Sequence, residues 1–283
     1  MNLTNWLLLM ILSILWGGSF YFIEKSLMFF TYEQVVFFRV LFAAFFILAV
    51  ILAKKIKIIF DLKLWFMFCI MGVLNNVIPF LAITYAQESI TGSLASLFNA
   101  TTPIFTVILA HFLTKDEKLS WLKTAGIMTG FIGMIILLLP KGFGDFELAG
   151  IFALLGAISY AFAGVFGKRL KEYDPILNVF GMLSSSSIVM YIIFFPTINS
   201  LEVTSIYKFK DLILLAILST SIAYIVYFRL LFSIGAVKLL LVTYLIPISA
   251  SMLGIFLLDE KFTMNMLIGA GIIFVSLLLI NKR

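Results

Sequence analysis

The chain has 283 residues, 63% hydrophobic and only 12% charged, where a soluble domain runs at roughly 45–50% apolar and about 25% charged. With a mean hydropathy of +1.17, this composition excludes a soluble enzyme or binding domain and identifies a polytopic membrane protein. The net charge of +6 does not indicate a nucleic-acid partner, because the basic residues fall in short clusters between apolar runs, the pattern of membrane orientation.

A membrane span needs about 20 mostly apolar residues. Ten segments qualify: 5–24, 35–53, 64–86, 92–113, 121–139, 148–167, 176–195, 212–234, 238–258 and 264–281. Charges and breakers separate them, such as Lys54-Lys55 with Asp61 after the second and Lys168-Arg169 with Asp174-Pro175 after the sixth. The weakest separation is Ser233-Ile234-Gly235-Ala236, between spans eight and nine. The first segment lacks a basic leader and a small-residue cleavage signal, so it is expected to be retained. Cys69 is the single cysteine and lies inside an apolar run, so no internal disulfide forms.

The chain repeats itself. Shifted by 144, Leu97, Pro103, Ile104, Phe112 and Leu113 fall on Leu241, Pro247, Ile248, Phe256 and Leu257. After a one-residue slip, Glu117-Lys118 falls on Glu260-Lys261, and Gly126 and Gly269 each follow nine residues later. The join is Pro140-Lys141-Gly142-Phe143-Gly144-Asp145, so the expected units are 1–140 and 145–283. Each holds five spans, and an odd number inserts the second copy upside down. With a cytoplasmic N-terminus, thirteen Lys/Arg fall on the cytoplasmic side and five on the other, while Arg39 and Arg229 stay inside spans. That bias places both termini in the cytoplasm, in a cell (inner) membrane.

These residues carry a resemblance. Leu15-Trp16-Gly17-Gly18-Ser19-Phe20, Arg39 early in span two, and Asn99 to Pro103 ahead of a short loop with Glu117 resemble the EamA type of the drug/metabolite transporter superfamily. The resemblance covers nearly the whole chain. It implies an all-α integral membrane fold of ten helices in two inverted five-helix repeats, with spans three, four, eight and nine lining a central pathway. It also implies transport of a small metabolite. Ile246 stands where many members carry an acidic residue before the span-nine proline.

Individual residues fill in this expectation. Span four carries Ser96, Asn99, Pro103 and Thr106 at helical spacing, with Thr102 beside them. Pro103 frees the carbonyl of Asn99, which a membrane tolerates only where protein or a water-filled cavity satisfies it. Span three adds Asn75, Asn76 and Tyr85, with Asn76 the better pathway candidate. Span eight offers Tyr224 and Tyr227 on the face of Thr220, and Tyr244 precedes Pro247 in span nine. Arg39 shares a face with Ala43 and either holds an anionic substrate group or anchors Glu24 or Glu33. Trp16 joins the pathway set through the first-span motif. Proton-linked or gating candidates are Glu24, Glu88 and His111; no two acids meet in mid-membrane, which favours a facilitated carrier. Gly126-x-x-x-Gly130 is a helix contact, within the bundle or between two copies, leaving monomer and homodimer both open.

No nucleotide loop, metal spacing or nucleophile–base set is visible, so no cofactor and no enzymatic activity are expected. The leading reading is a carrier for a small polar metabolite, an amino acid or related compound, working by alternating access in the lipid bilayer. Its rivals are a membrane enzyme acting on lipid or prenyl substrates, and a non-transporting subunit of a membrane complex.

Overall fold

The computed structural model describes residues 1–114, 120–138, 148–201, 206–258 and 263–281, and all regular structure among them is helical. The segments 115–119, 139–147 and 259–262, with Glu117, the Pro140–Asp145 join and Glu260, lie outside the described residues. Spans one to four are Leu3–Leu27, Tyr32–Lys54, Leu62–Ala86 and Ala95–Leu113. Spans five to seven are Trp121–Leu138, Leu148–Gly167 and Pro175–Ile193. Span eight starts at Lys210, span nine includes Val242–Leu258, and span ten is Met264–Asn281. Seven helices are long and apolar enough to cross a membrane unaided; the shorter three, in spans five, nine and ten, border undescribed segments.

Local chemistry sets several boundaries. Thr31 and Gln34 form a reciprocal capping box at the start of span two, satisfying backbone donors that helix geometry leaves unpaired. Asp61 caps span three and Asp174 caps span seven ahead of Pro175. The boundary between spans eight and nine falls at Gly235, whose φ of 82° is left-handed and available to glycine without a Cβ clash. Two spans are interrupted ahead of their prolines, Pro103 and Pro247. Span four consists of Gly92–Asn99 and Thr102–Leu113, and span nine breaks at Leu241.

The packing has the symmetry the repeat implies. Span one packs on nine as six does on four; one on eight as six on three; two on eight as seven on three. Spans two and seven pair with each other, as do five and ten. Each of these contacts crosses between the halves, and exchanging the halves maps the set onto itself. Two five-helix units of opposite orientation produce this pattern. Apolar side chains such as Leu7, Ile11, Phe45, Phe66 and Ile192 are exposed outward, while Ser13, Asn75, Asn76, Ser186 and Thr220 are buried. Exposed hydrocarbon around a polar interior is what a bilayer solvent selects.

The Gly126-x-x-x-Gly130 stripe packs inside the bundle. A Cβ on Gly126 would meet Ile280, and one on Gly133 would lie 3.0 Å from the carbonyl oxygen of Gly269. Small residues on spans five and ten thus let two backbones of the same chain approach closely.

Candidate functional site

A narrow cavity of about 30 Å³ lies where the halves meet. Spans one, two, three, four, six, eight and nine all reach it. The first-span motif is divided between this cavity and helix packing. Trp16, Ser19 and Phe20 line the cavity, whereas a Cβ on Gly17 would lie 3.0 Å from the backbone nitrogen of Ala250 in span nine. Beside that close approach, the Ser13 and Ser249 hydroxyls hydrogen-bond at 2.7 Å.

Among the described residues Arg39 is the one cation that lines the cavity, and it is only 4% exposed. Its Nε donates to Thr220 Oγ1 at 2.8 Å, and its guanidinium carbon lies 3.5 Å from the centre of the Phe80 ring. Thr220 Oγ1 gives its own proton to the Leu215 carbonyl at 2.9 Å, so a lone pair faces Arg39. That geometry depends on a π-turn at Ile217–Ile222, where the helix carries one extra residue in its turn. A matching π-turn at Val73–Val77 holds Asn75 and Asn76. Shifting by 144 carries Asn76 onto Thr220, so the two irregular turns are equivalent. The hydroxyl of Tyr224, two residues past the second turn, donates to the Asn75 carbonyl in the first at 2.9 Å across the bundle.

Other polar groups in the wall have no hydrogen-bond partner among the described residues. Thr84 Oγ1 and the hydroxyl of Tyr227 are buried and unpartnered, and both residues line the cavity. Asn99 lines it too, at the end of the first half-helix of span four. Its carbonyl, freed by the chain break and by Pro103, accepts from Thr102 Oγ1 at 2.5 Å. Trp16 stands edge-on to Tyr224 at 6.3 Å and 6.0 Å from Tyr227.

The residues singled out from the sequence therefore divide. Trp16, Arg39, Asn99 and Tyr227 line the cavity, and Tyr224 backs it through ring contacts with Trp16 and Phe80. Asn76 turns away and donates to Ser186 Oγ at 2.9 Å. Tyr85 packs between Tyr32 and Phe152. Tyr244 donates to the Ile127 carbonyl at 2.9 Å and fills the space beside Gly130, outside the cavity. Thr102 and Pro103, at the start of the second half-helix of span four, and Pro247, inside the helix Val242–Leu258, are buried without lining the cavity. Glu24 and Glu88 are exposed, and His111 is half-buried against Phe112; none of the three reaches the cavity. Partial desolvation of the carboxyl, and then the neighbouring Glu33 charge, push Glu88 above the usual range although the residue as a whole is exposed. Among the described residues Arg39 forms no ion pair with Glu24 or Glu33. Arg229 is exposed on the outer side of span eight.

Phe80, Thr84, Tyr160 and Thr243 also line the cavity and were not singled out from the sequence. The 144-residue shift carries Trp16 onto Tyr160, Asn99 onto Thr243 and Ile83 onto Tyr227, and all six are cavity residues. The repeat therefore held a usable signal. A second, wider cavity of about 370 Å³ lies toward the far end of span six, between Leu74, Leu113, Phe162 and Phe166, with Lys168 and Arg169 at its rim.

The comparisons with known proteins agree on one assignment. The chain is 27% identical over 198 residues to the uncharacterized transporter YoaV of Bacillus subtilis (strain 168), covering 68% of this chain and 67% of that one. It is 24% identical over 281 residues to an uncharacterized transporter of Archaeoglobus fulgidus, covering 99% of both. A 147-residue stretch is 29% identical to the S-adenosylmethionine uptake transporter of Rickettsia prowazekii (strain Madrid E), 52% of this chain and 48% of that one. A solved crystal structure superposes with a TM-score of 0.78 over 99% of this chain and 98% of its own, at 14% identity, and shows a shared fold. The EamA-like transporter family matches twice, over residues 4–139 and 148–282. The chain thus belongs to the EamA-like transporter family, the EamA type of the drug/metabolite transporters.

Proposed function

We propose that the chain carries a small polar metabolite, an amino acid or related compound, across a cell membrane by alternating access around the central cavity. The observation that carries this reading is the cavity itself. It lies at the contact between the inverted halves, and its wall holds buried, unpartnered polar groups at Thr84 and Tyr227. Such groups are costly in a bilayer unless a solute or water satisfies them during the cycle. At about 30 Å³ the cavity is too small for a metabolite, so the halves must part to admit one, as rocking of one repeat against the other allows. The Rickettsia relative is named for uptake of S-adenosylmethionine, an amino-acid derivative, which supports this substrate class.

The charge bias of the loops supports cytoplasmic termini, with the wide cavity rimmed by Lys168 and Arg169 as the cytoplasmic vestibule. Glu24, Glu88 and His111 do not reach the cavity, which favours facilitated exchange over obligate proton coupling. The test is counterflow in proteoliposomes preloaded in turn with amino acids, organic acids and nucleosides. Accumulation of one label against its own unlabelled pool is expected. Rates equal to empty liposomes for the whole panel would reject a carrier for this class of solute.

A further inference from the structure

Arg39 makes fewer contacts than a buried guanidinium needs. Nε is held by Thr220 and the planar face lies on Phe80, but no described residue accepts from either Nη group. A guanidinium has five N–H donors and stays charged in proteins, so taking it out of water without a counter-charge is costly. Among the described residues no acidic side chain lines the cavity.

The repeat shows that helix packing does not require this charge. Span two meets span eight as span seven meets span three. At the second of these contacts the polar tie is Asn76 to Ser186 at 2.9 Å, with the Ser186 hydroxyl donating to its own Met182 carbonyl at 2.7 Å. At the first it is Arg39 to Thr220 at 2.8 Å, with the threonine hydroxyl donating to Leu215 at 2.9 Å. The chemistry is the same: a nitrogen donates to a hydroxyl whose proton is already committed. One contact achieves it with a neutral amide, the other with a full charge. The position 144 residues after Arg39 is Leu183, so the equivalent site in the second half is apolar. The extra charge serves something other than the fold.

We infer that Arg39 is the anion-binding residue of the central cavity and that its two Nη groups receive the carboxylate of a small organic acid or amino acid. This rests on the reading of the cavity as the transport site. Thr220 and Phe80 fix the plane of the guanidinium from behind, leaving the fork that matches a carboxylate bidentately. Trp16, Phe20, Ile83 and Ile246 supply an apolar wall for the body of the solute, and Thr84 and Tyr227 offer hydroxyls for one polar substituent. The basic rim at Lys168 and Arg169 attracts the same class of solute toward the wider cavity.

The experiment is thermal unfolding of the purified full chain in detergent, with probes that share one body and differ in charge. These are isocaproate, its neutral amide, isoamylamine and L-leucine, with inorganic phosphate as a separate arm. Isocaproate and L-leucine are expected to raise the melting temperature, and the amide, the amine and phosphate to leave it unchanged. Arg39→Lys keeps the charge but not the fork, and should raise the carboxylate concentration needed by about ten- to a hundredfold; Arg39→Gln should abolish the response. If Arg39→Gln does not purify, Thr220→Val, which releases the guanidinium plane, should weaken isocaproate binding alone. The inference is overturned if neither carboxylate stabilises the wild type, if the amide or phosphate does so equally, or if Arg39→Gln responds normally. Counterflow of a neutral or cationic solute, with no carboxylate response, would keep the transport reading and remove this one. An Arg39-dependent carboxylate response without counterflow would do the reverse.

Discussion

Two tyrosines of the bundle core show how residues that look alike in sequence differ in role. Tyr227 is 1% exposed and its hydroxyl has no partner, whereas the Tyr244 hydroxyl is spent on the Ile127 carbonyl. Tyr227→Phe removes an unpaired buried hydroxyl, so stability should hold or rise while transport falls. Tyr244→Phe should lower stability by about 0.5–1.5 kcal/mol and leave substrate affinity unchanged. Unfolding and counterflow on the same two preparations check both; a transport loss confined to Tyr244→Phe would move the pathway to spans five and nine. Tyr224 differs again, since its hydroxyl holds the first π-turn at the Asn75 carbonyl. Tyr224→Phe should therefore cost both stability and rate.

Which of these residues could be read from sequence depends on the physics of the elements that carry them. That Trp16, Arg39 and Asn99 face the cavity was legible because a motif, or a charge within a span, marked them. Asn76 and Tyr85 were not, because a polar residue facing another helix and one facing a cavity look the same in a membrane sequence. The π-turns at Val73–Val77 and Ile217–Ile222 add to this. Each inserts a residue into the turn, so faces counted at 3.6 residues per turn are displaced beyond it. The span count, the inverted order and the break near Gly235 were legible because length, charge and glycine act locally. Two predictions belong to this scale. Gly133→Ala would place a methyl 3.0 Å from the Gly269 carbonyl oxygen and should destabilise the five–ten pair by about 1–3 kcal/mol, read as a lower melting temperature with unchanged oligomeric state. A Glu88 carboxyl raised by partial desolvation and by Glu33 favours the protonated form when folded. Its contribution to stability is full below the ordinary glutamate range and is lost as pH rises through the raised value. Glu88→Gln should flatten that part of the pH–stability curve, and an identical curve in the variant would contradict the assignment.

At the scale of the molecule, the symmetry of contacts between halves and the asymmetry of their chemistry belong together. Equivalent helix pairs repeat, so both halves supply the same scaffold. The cavity departs from that equivalence at Arg39, whose counterpart is Leu183. A scaffold able to sit in two related arrangements, around a site that is not symmetric, is what directional binding with alternating exposure requires. The proposed transport requires that the cavity open to each side of the membrane in turn. Thr84 is the position to test it, because its hydroxyl is buried, unpartnered and in the cavity wall, so a thiol replaces it with no hydrogen bond lost. In proteoliposomes carrying Thr84→Cys with Cys69→Ser, an impermeant thiol reagent applied from either side should modify the cysteine, and bound solute should slow the reaction from both. Modification from one side only, whatever the solute, would contradict alternating access through this cavity.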